Sequence, residues 1–290
     1  MTGPGARSGL AARGLLAALA VFTVAALAGY ASFGLHPSLL GRFPSAAGTY
    51  GLALRVFPLG QVWLAFIVMT LYLCVYSGAR WIRAFVLLYA LSLSSELLGT
   101  GYGIPFGAYH YSSMLGPEWM GRVPILIPLS WFSMTIAAYA MSASGAVRGH
   151  GGKVVRIALA SLLLLCWDLS LDPAMSHATT YWVWGASGPY YGMPWSNLAG
   201  WYVTGLVLAG ALSLVGADEW MNLLSRRWLA GFYAANVLLA AGMNIAAGLW
   251  VACAATAVAL LATLGAISVA DRRQAQQLGA GGGTQRLGVA

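Results

Sequence analysis

ELLGTGYGIPFGAYHYSSMLGPEWMGRVPILIPLSW, residues 96–131, begins with a carboxylate at the end of one apolar run and ends with a tryptophan inside the next. Between them lie glycines, prolines, tyrosines, a histidine and a second acid, with no regular period. DLSLDPAMSHATTYWVWGASGPYYGMPWSNLAGW, residues 168–201, has the same make-up and again bridges two apolar runs. These runs decide the fold, because several reach the roughly 20 residues that a helix needs to cross a bilayer core. The chain is 60% hydrophobic and 8% charged, where a soluble domain carries about 25% charged residues. It reads as an all-α, polytopic transmembrane helix bundle.

Working outward, spans are expected at about 14–33, 59–77, 82–98, 123–143, 154–172 and 196–216. Two more are expected within 228–270, broken near Met243–Gly248, giving eight. The first run has a basic start and an Ala-rich end, like a signal peptide. Its length of about 20 residues exceeds the roughly 7–15 of a typical signal core, so it is read as a span. Residues 1–12 form a basic lead-in, 13–272 a single transmembrane domain, and 273–290 a Gly-rich tail expected to be disordered. Pro37, Arg42, Pro44, Arg55 and Pro58 mark a loop after span one, and Gly145–Arg156 a basic turn.

The formal net charge is +8, but the bases are scattered as short clusters between apolar runs, which suits topology signals and not a nucleic-acid face. With eight spans and a cytoplasmic N-terminus, twelve of the fifteen basic residues fall on one face. Only Arg42, Arg55 and Arg122 fall on the other. That bias predicts a multi-pass protein of the cell (plasma) membrane with both termini cytoplasmic. The two irregular segments then share the outer side. Cys74, Cys166 and Cys253 all lie inside spans with no CxxC, as buried apolar cysteines do.

An internal repeat is also suggested. Pro124 precedes Trp131 by seven residues and Pro194 precedes Trp201 by seven, at an offset of 70, with Glu96 and Asp168 upstream of each pair. This points to two parallel helix-hairpin units, spans 3–4 and 5–6, facing one another. Chance agreement is the competing explanation in a chain with 12 tryptophans and 11 prolines.

Ionisable groups at membrane depth cost at least about 2.5–3.5 kcal/mol each and need a reason. Asp168 and Asp172 are four apart and share a helix face, and Glu96 ends the neighbouring unit at similar depth. The three converge on one pocket, or else Glu96 and Asp172 are interfacial and Asp172 caps a turn before Pro173. His36, His110, His150 and His177 are too scattered for a metal site; His110 and His177 are proton shuttles or interfacial hydrogen-bonders. An aromatic belt at the headgroup level accounts for many of the rings. It does not account well for Trp131, Trp167 and Trp201, which lie within spans. Ring faces near buried acids stabilise a cation, and a carboxyl group buried among rings keeps its proton. A protonated acid, aromatic faces and a second acid holding water are what hydration of an isolated carbon–carbon double bond requires.

ELLGTGYGIPFGAYHY, VPILIPLSW, DLSLDPAM and YWVWGASGPYYGMPWSNLAGW resemble the integral-membrane carotenoid 1,2-hydratases, over about residues 60–270. Glu96, Asp168 and Asp172 match the acidic positions of that family. Pro105–Tyr109 matches its PFG-x-Y segment and Gly192–Asn197 its G-x-P-x-x-N segment. The resemblance implies addition of water across the terminal C1–C2 double bond of an acyclic carotenoid end (gamma-carotene-, lycopene- or bacterioruberin-type), giving a tertiary alcohol without cofactor or metal. The expected partners are a lipophilic carotenoid, membrane lipid and other carotenoid-pathway enzymes.

On this reading Asp168 or Glu96 donates the proton, Asp172 positions water, and Tyr109, His110 and Asn197 complete the water network. Tyr102, Phe106, Trp131, Trp167, Trp182, Trp184, Tyr191 and Trp201 are expected to line the substrate. A membrane carotenoid cyclase, which starts with the same protonation, is the rival enzyme. A non-catalytic isoprenoid-binding or transport protein is the rival from another class.

Overall fold

In hydrocarbon every backbone amide must find a partner within the protein, and a helix achieves this within one segment. The structure, a computed structural model, describes residues 4–142 and 150–284. α1 (Pro4–Gly29) ends in a π-helical turn at Tyr30–Gly34 and is followed by the short α2 (Ser38–Arg42). α3 (Pro44–Ser77) and α4 (Trp81–Tyr102) form the next hairpin. The first irregular segment folds into β1 (Tyr109–Tyr111), β2 (Glu118–Trp119) and β3 (Val123–Pro124) before α5 (Leu126–Met141). α6 (His150–Asp172) runs into a second π-helical turn, Pro173–His177, and then β4 (Trp182–Trp184). α7 (Trp195–Leu214), α8 (Ala217–Met221), α9 (Arg226–Ala246) and α10 (Trp250–Thr284) complete the chain.

Among the described residues, seven helices are long and apolar enough to cross a membrane, and α5 is a shorter eighth apolar helix. Its 16 residues span about 24 Å. Nearly every side chain of α5 is buried, as befits a helix apolar all round, and it packs on α3, α4, α6, α7 and α9. It is the central post of the bundle.

Two boundaries differ from expectation, and a third agrees with it. The loop foreseen across Pro37–Pro58 is mostly helix. Pro44 opens α3 where its missing N–H is no loss, and Pro58 is carried inside α3, as membrane helices tolerate. α10 stays helical to Thr284, past Arg273. Residues 285–290 of the tail, residues 1–3 of the lead-in and residues 143–149, which hold the start of the basic turn, lie outside the described residues. The break between the last two spans falls at Gly248, whose φ of +72° suits glycine.

Small residues set the helix spacing, as in other membrane bundles. α6 and α7 form the most extensive helix pair, and a Cβ on Gly205 would sit 3.0 Å from Ser161 Cα. α1 seats Leu16 on Gly231 and Leu27 on Gly242 of α9, and Trp228 Nε1 donates to Ala12 O at 2.7 Å. At the end away from β1 and β4, Arg156 stacks 3.9 Å over Tyr139 and pairs with Asp218 at 2.5 Å. Gly205→Val is expected to force α6 and α7 apart at a cost of about 1–3 kcal/mol, read as a lower midpoint of thermal unfolding in detergent. Gly210→Val, where an added Cβ meets nothing within 4 Å, leaves that midpoint nearly unchanged.

Candidate active site

β1 and β4 pair antiparallel, Tyr109 against Trp184 and Tyr111 against Trp182, which ties the two irregular segments together at one end of the bundle. Alternation along β1 turns Tyr109 and Tyr111 inward and leaves His110 exposed. Phe106 is wedged between two helices: a Cβ on Gly99 of α4 would lie 2.8 Å from its ring, and one on Gly200 of α7 2.7 Å. Only glycine at both positions lets the Phe106–Tyr109 segment dip between them.

Glu96, 4% exposed, is met by three donors. Tyr109 and Tyr111 hydroxyls both donate to Oε2, the latter at 2.8 Å, and Trp131 Nε1 donates to Oε1 at 2.8 Å. Burial first, and then the neighbouring Glu96 charge, push both phenols well above their ordinary range, so they remain donors. Trp131 in turn stacks on Trp201 at 4.0 Å, and Trp201 meets Trp167 edge-on at 5.6 Å.

The second acidic centre is a pair. Asp172 Oδ1 accepts from Trp182 Nε1 at 2.6 Å. The Asn197 amide nitrogen donates to Asp172 Oδ2 and, at 3.0 Å, to Asp168 Oδ2. Asp168 is fully buried, and among the described residues no N–H or O–H donor meets its Oδ1. The expected helical spacing of Asp168 and Asp172 thus brings both carboxyls onto one amide.

Both centres border one cavity of about 200 Å³. On α3 its lining residues run from Tyr50 to Ala65, a rise of about 22 Å along the helix, so the chamber is long. Most of the remaining wall is apolar, from Ala26 and Phe57 to Leu126, Met134 and Leu239. Buried polar atoms with no partner among the described residues also belong to its lining: Tyr30 OH, Ser133 Oγ, Trp167 Nε1 and Trp184 Nε1. Among the described residues, no three His, Cys, Asp or Glu side chains converge as metal ligands.

Of the residues expected at the site, Glu96, Asp172, Asn197, Tyr109, Phe106, Trp131, Trp167, Trp182, Trp184 and Trp201 line the cavity. Asp168 stands behind Asp172 and does not. Three residues lie apart. Tyr102 is 79% exposed at the end of α4, His110 faces away from the cavity side of β1, and Tyr191 packs beside His177 at 5.3 Å. Tyr111 is not among the residues expected at the site, although reading YHY as a strand puts it on Tyr109's side. The contributions of α1 and of the first turns of α3 carried no sequence signal.

A helical membrane protein with buried acids facing a long aromatic cavity is the class that fold and site define. The chain matches the model of the carotenoid biosynthesis protein family over residues 60–263 and belongs to that family. Over 128 residues it is 34% identical to the bisanhydrobacterioruberin hydratase of Haloarcula japonica, a match covering 43% of each chain. The chain therefore aligns with less than half the length of that relative. No solved structure matches it.

Tyr109→Phe and Tyr111→Phe each remove one donor from a buried carboxylate, expected to cost about 1.5–3 kcal/mol in unfolding experiments. Because both phenols serve the same oxygen, their double-mutant cycle should show a coupling of at least about 0.5 kcal/mol.

Proposed function

We propose that the protein is a carotenoid hydratase, adding water across the terminal double bond of an acyclic carotenoid end to give a tertiary alcohol. The observation that carries this reading is the unequal treatment of the buried acids beside one apolar, aromatic cavity. Glu96 is surrounded by three donors, the environment of an anion. Asp168 and Asp172 share one amide, and two like charges that close do not both ionise in an apolar interior. The pair therefore holds one proton.

Asp172 faces the cavity and delivers that proton to the alkene carbon. The π pair forms the new C–H bond and leaves a cation on the adjacent tertiary carbon. Glu96 and the faces of Trp131 and Trp201 stabilise this cation. Water adds its lone pair to the cation and releases its extra proton to a carboxylate. Asp168 acts through Asp172, and Asn197 aligns the two. The scheme consumes no redox equivalent.

The long chamber along α3 suits a rod-like isoprenoid better than a compact solute, and the family membership supports a carotenoid. The hydratase named among the relatives supports water as the second reactant. We further place the protein in the cell membrane with cytoplasmic termini, from the distribution of basic residues, and expect other carotenoid-pathway enzymes to supply its substrate.

Expression in a host that accumulates acyclic-ended carotenoids should yield a pigment heavier by one water with its chromophore length unchanged. Asp172→Asn and Glu96→Gln, inserted normally, should each lower conversion about a hundredfold or more. An isomer of unchanged mass with a new ring would replace this reading by a cyclase.

A further inference from the structure

The cavity has a second polar end that the proposed chemistry does not use. Tyr30 opens the π-helical turn after α1, Tyr50 lies in the first turns of α3, and Tyr181 immediately precedes β4; all three line the cavity. The Tyr30 hydroxyl is buried and has no hydrogen-bond partner among the described residues. Tyr50 OH lies 3.3 Å from the place where a Gly34 Cβ would stand, beside the Tyr30 ring. Burial, with Tyr50 and Tyr30 as neighbours, pushes the Tyr181 phenol up to about 12.

This cluster is joined to both acidic centres through the strand pair. Ser112 N donates to Tyr181 O at 2.9 Å, and Tyr111 lies across from Trp182 with rings 5.9 Å apart. Tyr111 is the donor to Glu96, and Trp182 the donor to Asp172. Tyr111 and Trp182 also pack against the cluster that holds Tyr181, so the tyrosine end adjoins the donors of both acids.

A phenol both donates and accepts, whereas an indole N–H only donates. A buried hydroxyl with no protein partner in a polar recess is characteristic of a bound water site. The rest of the wall is largely apolar, so water reaches a cation at the acids only by a route that offers it hydrogen bonds.

We propose that Tyr30, Tyr50 and Tyr181 form a water-binding station that supplies the second reactant to the acidic end of the cavity. The proposal rests on the hydratase reading. It separates two steps: protonation by the Asp168–Asp172 pair, and capture of the cation by water arriving from the tyrosines. If capture is slowed, the cation loses a proton from a neighbouring carbon to a carboxylate and returns to alkene. In deuterated water that return leaves deuterium in recovered substrate.

The experiment compares full-length protein with Tyr30→Phe/Tyr50→Phe and with Tyr181→Phe, in membranes loaded with an acyclic-ended carotenoid in deuterated water. Mass analysis follows hydrated product and deuterium in the remaining alkene. The expected result is a fall of about tenfold in hydrated product in the double variant, with deuterium exchange into alkene retained or raised. Hydration at the wild-type rate in both variants would overturn the station. So would a parallel loss of hydration and exchange in folded variants, since the tyrosines would then only shape the cavity. A wild-type protein that neither hydrates nor exchanges any such carotenoid would instead remove the hydratase reading, and the station with it.

Discussion

A carboxyl group inside a hydrocarbon-facing bundle is tolerable only if donors or a proton compensate it, and this protein has to hold three. Each solution uses parts from distant segments. Glu96 on α4 needs Trp131 from α5 and two tyrosines from β1. Asp172 on α6 needs Trp182 from β4 and Asn197 from α7. These hydrogen-bonded groups meet only if α4 through α7 and the β1–β4 pair sit in one arrangement, so the acids specify the packing as much as the packing holds the acids. Such burial is poor evidence for stability as such and better evidence for a working site.

The strands follow from the same demand. A loop at the end of a membrane bundle has no helical partner for its amides, and donors carried on it must still be held to a fraction of an ångström. Pairing β1 with β4 satisfies the backbone of both segments and fixes which side chains point inward. Gly99 and Gly200 then let Phe106 anchor that ribbon between α4 and α7. Rigid elements surround each reacting group, which is what preorganised chemistry requires.

Much of this was legible in sequence because the signals were long or periodic. Apolar runs gave the helices, and the i, i+4 spacing placed Asp168 and Asp172 on one face. Trp131 and Trp201 stood out as tryptophans within spans, and they stack on each other. What sequence could not decide was direction within the aperiodic segments. Tyr102 and Tyr109 look equivalent as letters, yet one ends a helix facing outward and the other enters the core. His110 was grouped with its neighbours because residues 109–111 are too few to show a two-residue period. The fate of Asp168, buried behind Asp172 and not beside the cavity, depends on helix rotation by part of a turn, which apolar patterning does not encode where the last turns of α6 are largely buried.

The distribution of the cavity wall along the chain separates chemistry from fit. Glu96, Asp168, Asp172 and every donor named for them lie within residues 60–263, the part matched by the family. Ala26, Tyr30, Tyr50 and Phe57 lie before it and yet line the same chamber. Helix α1 is held there by interlocking with α9, where Leu16 and Leu27 meet two glycines three turns apart, so its contribution is as fixed as the others. A reaction centre built from one set of segments and a ligand wall completed by another can vary independently. Substitutions in α1 and in the first turns of α3 alter which ligand is accommodated, or how water approaches it, without touching the groups that hold and move the proton.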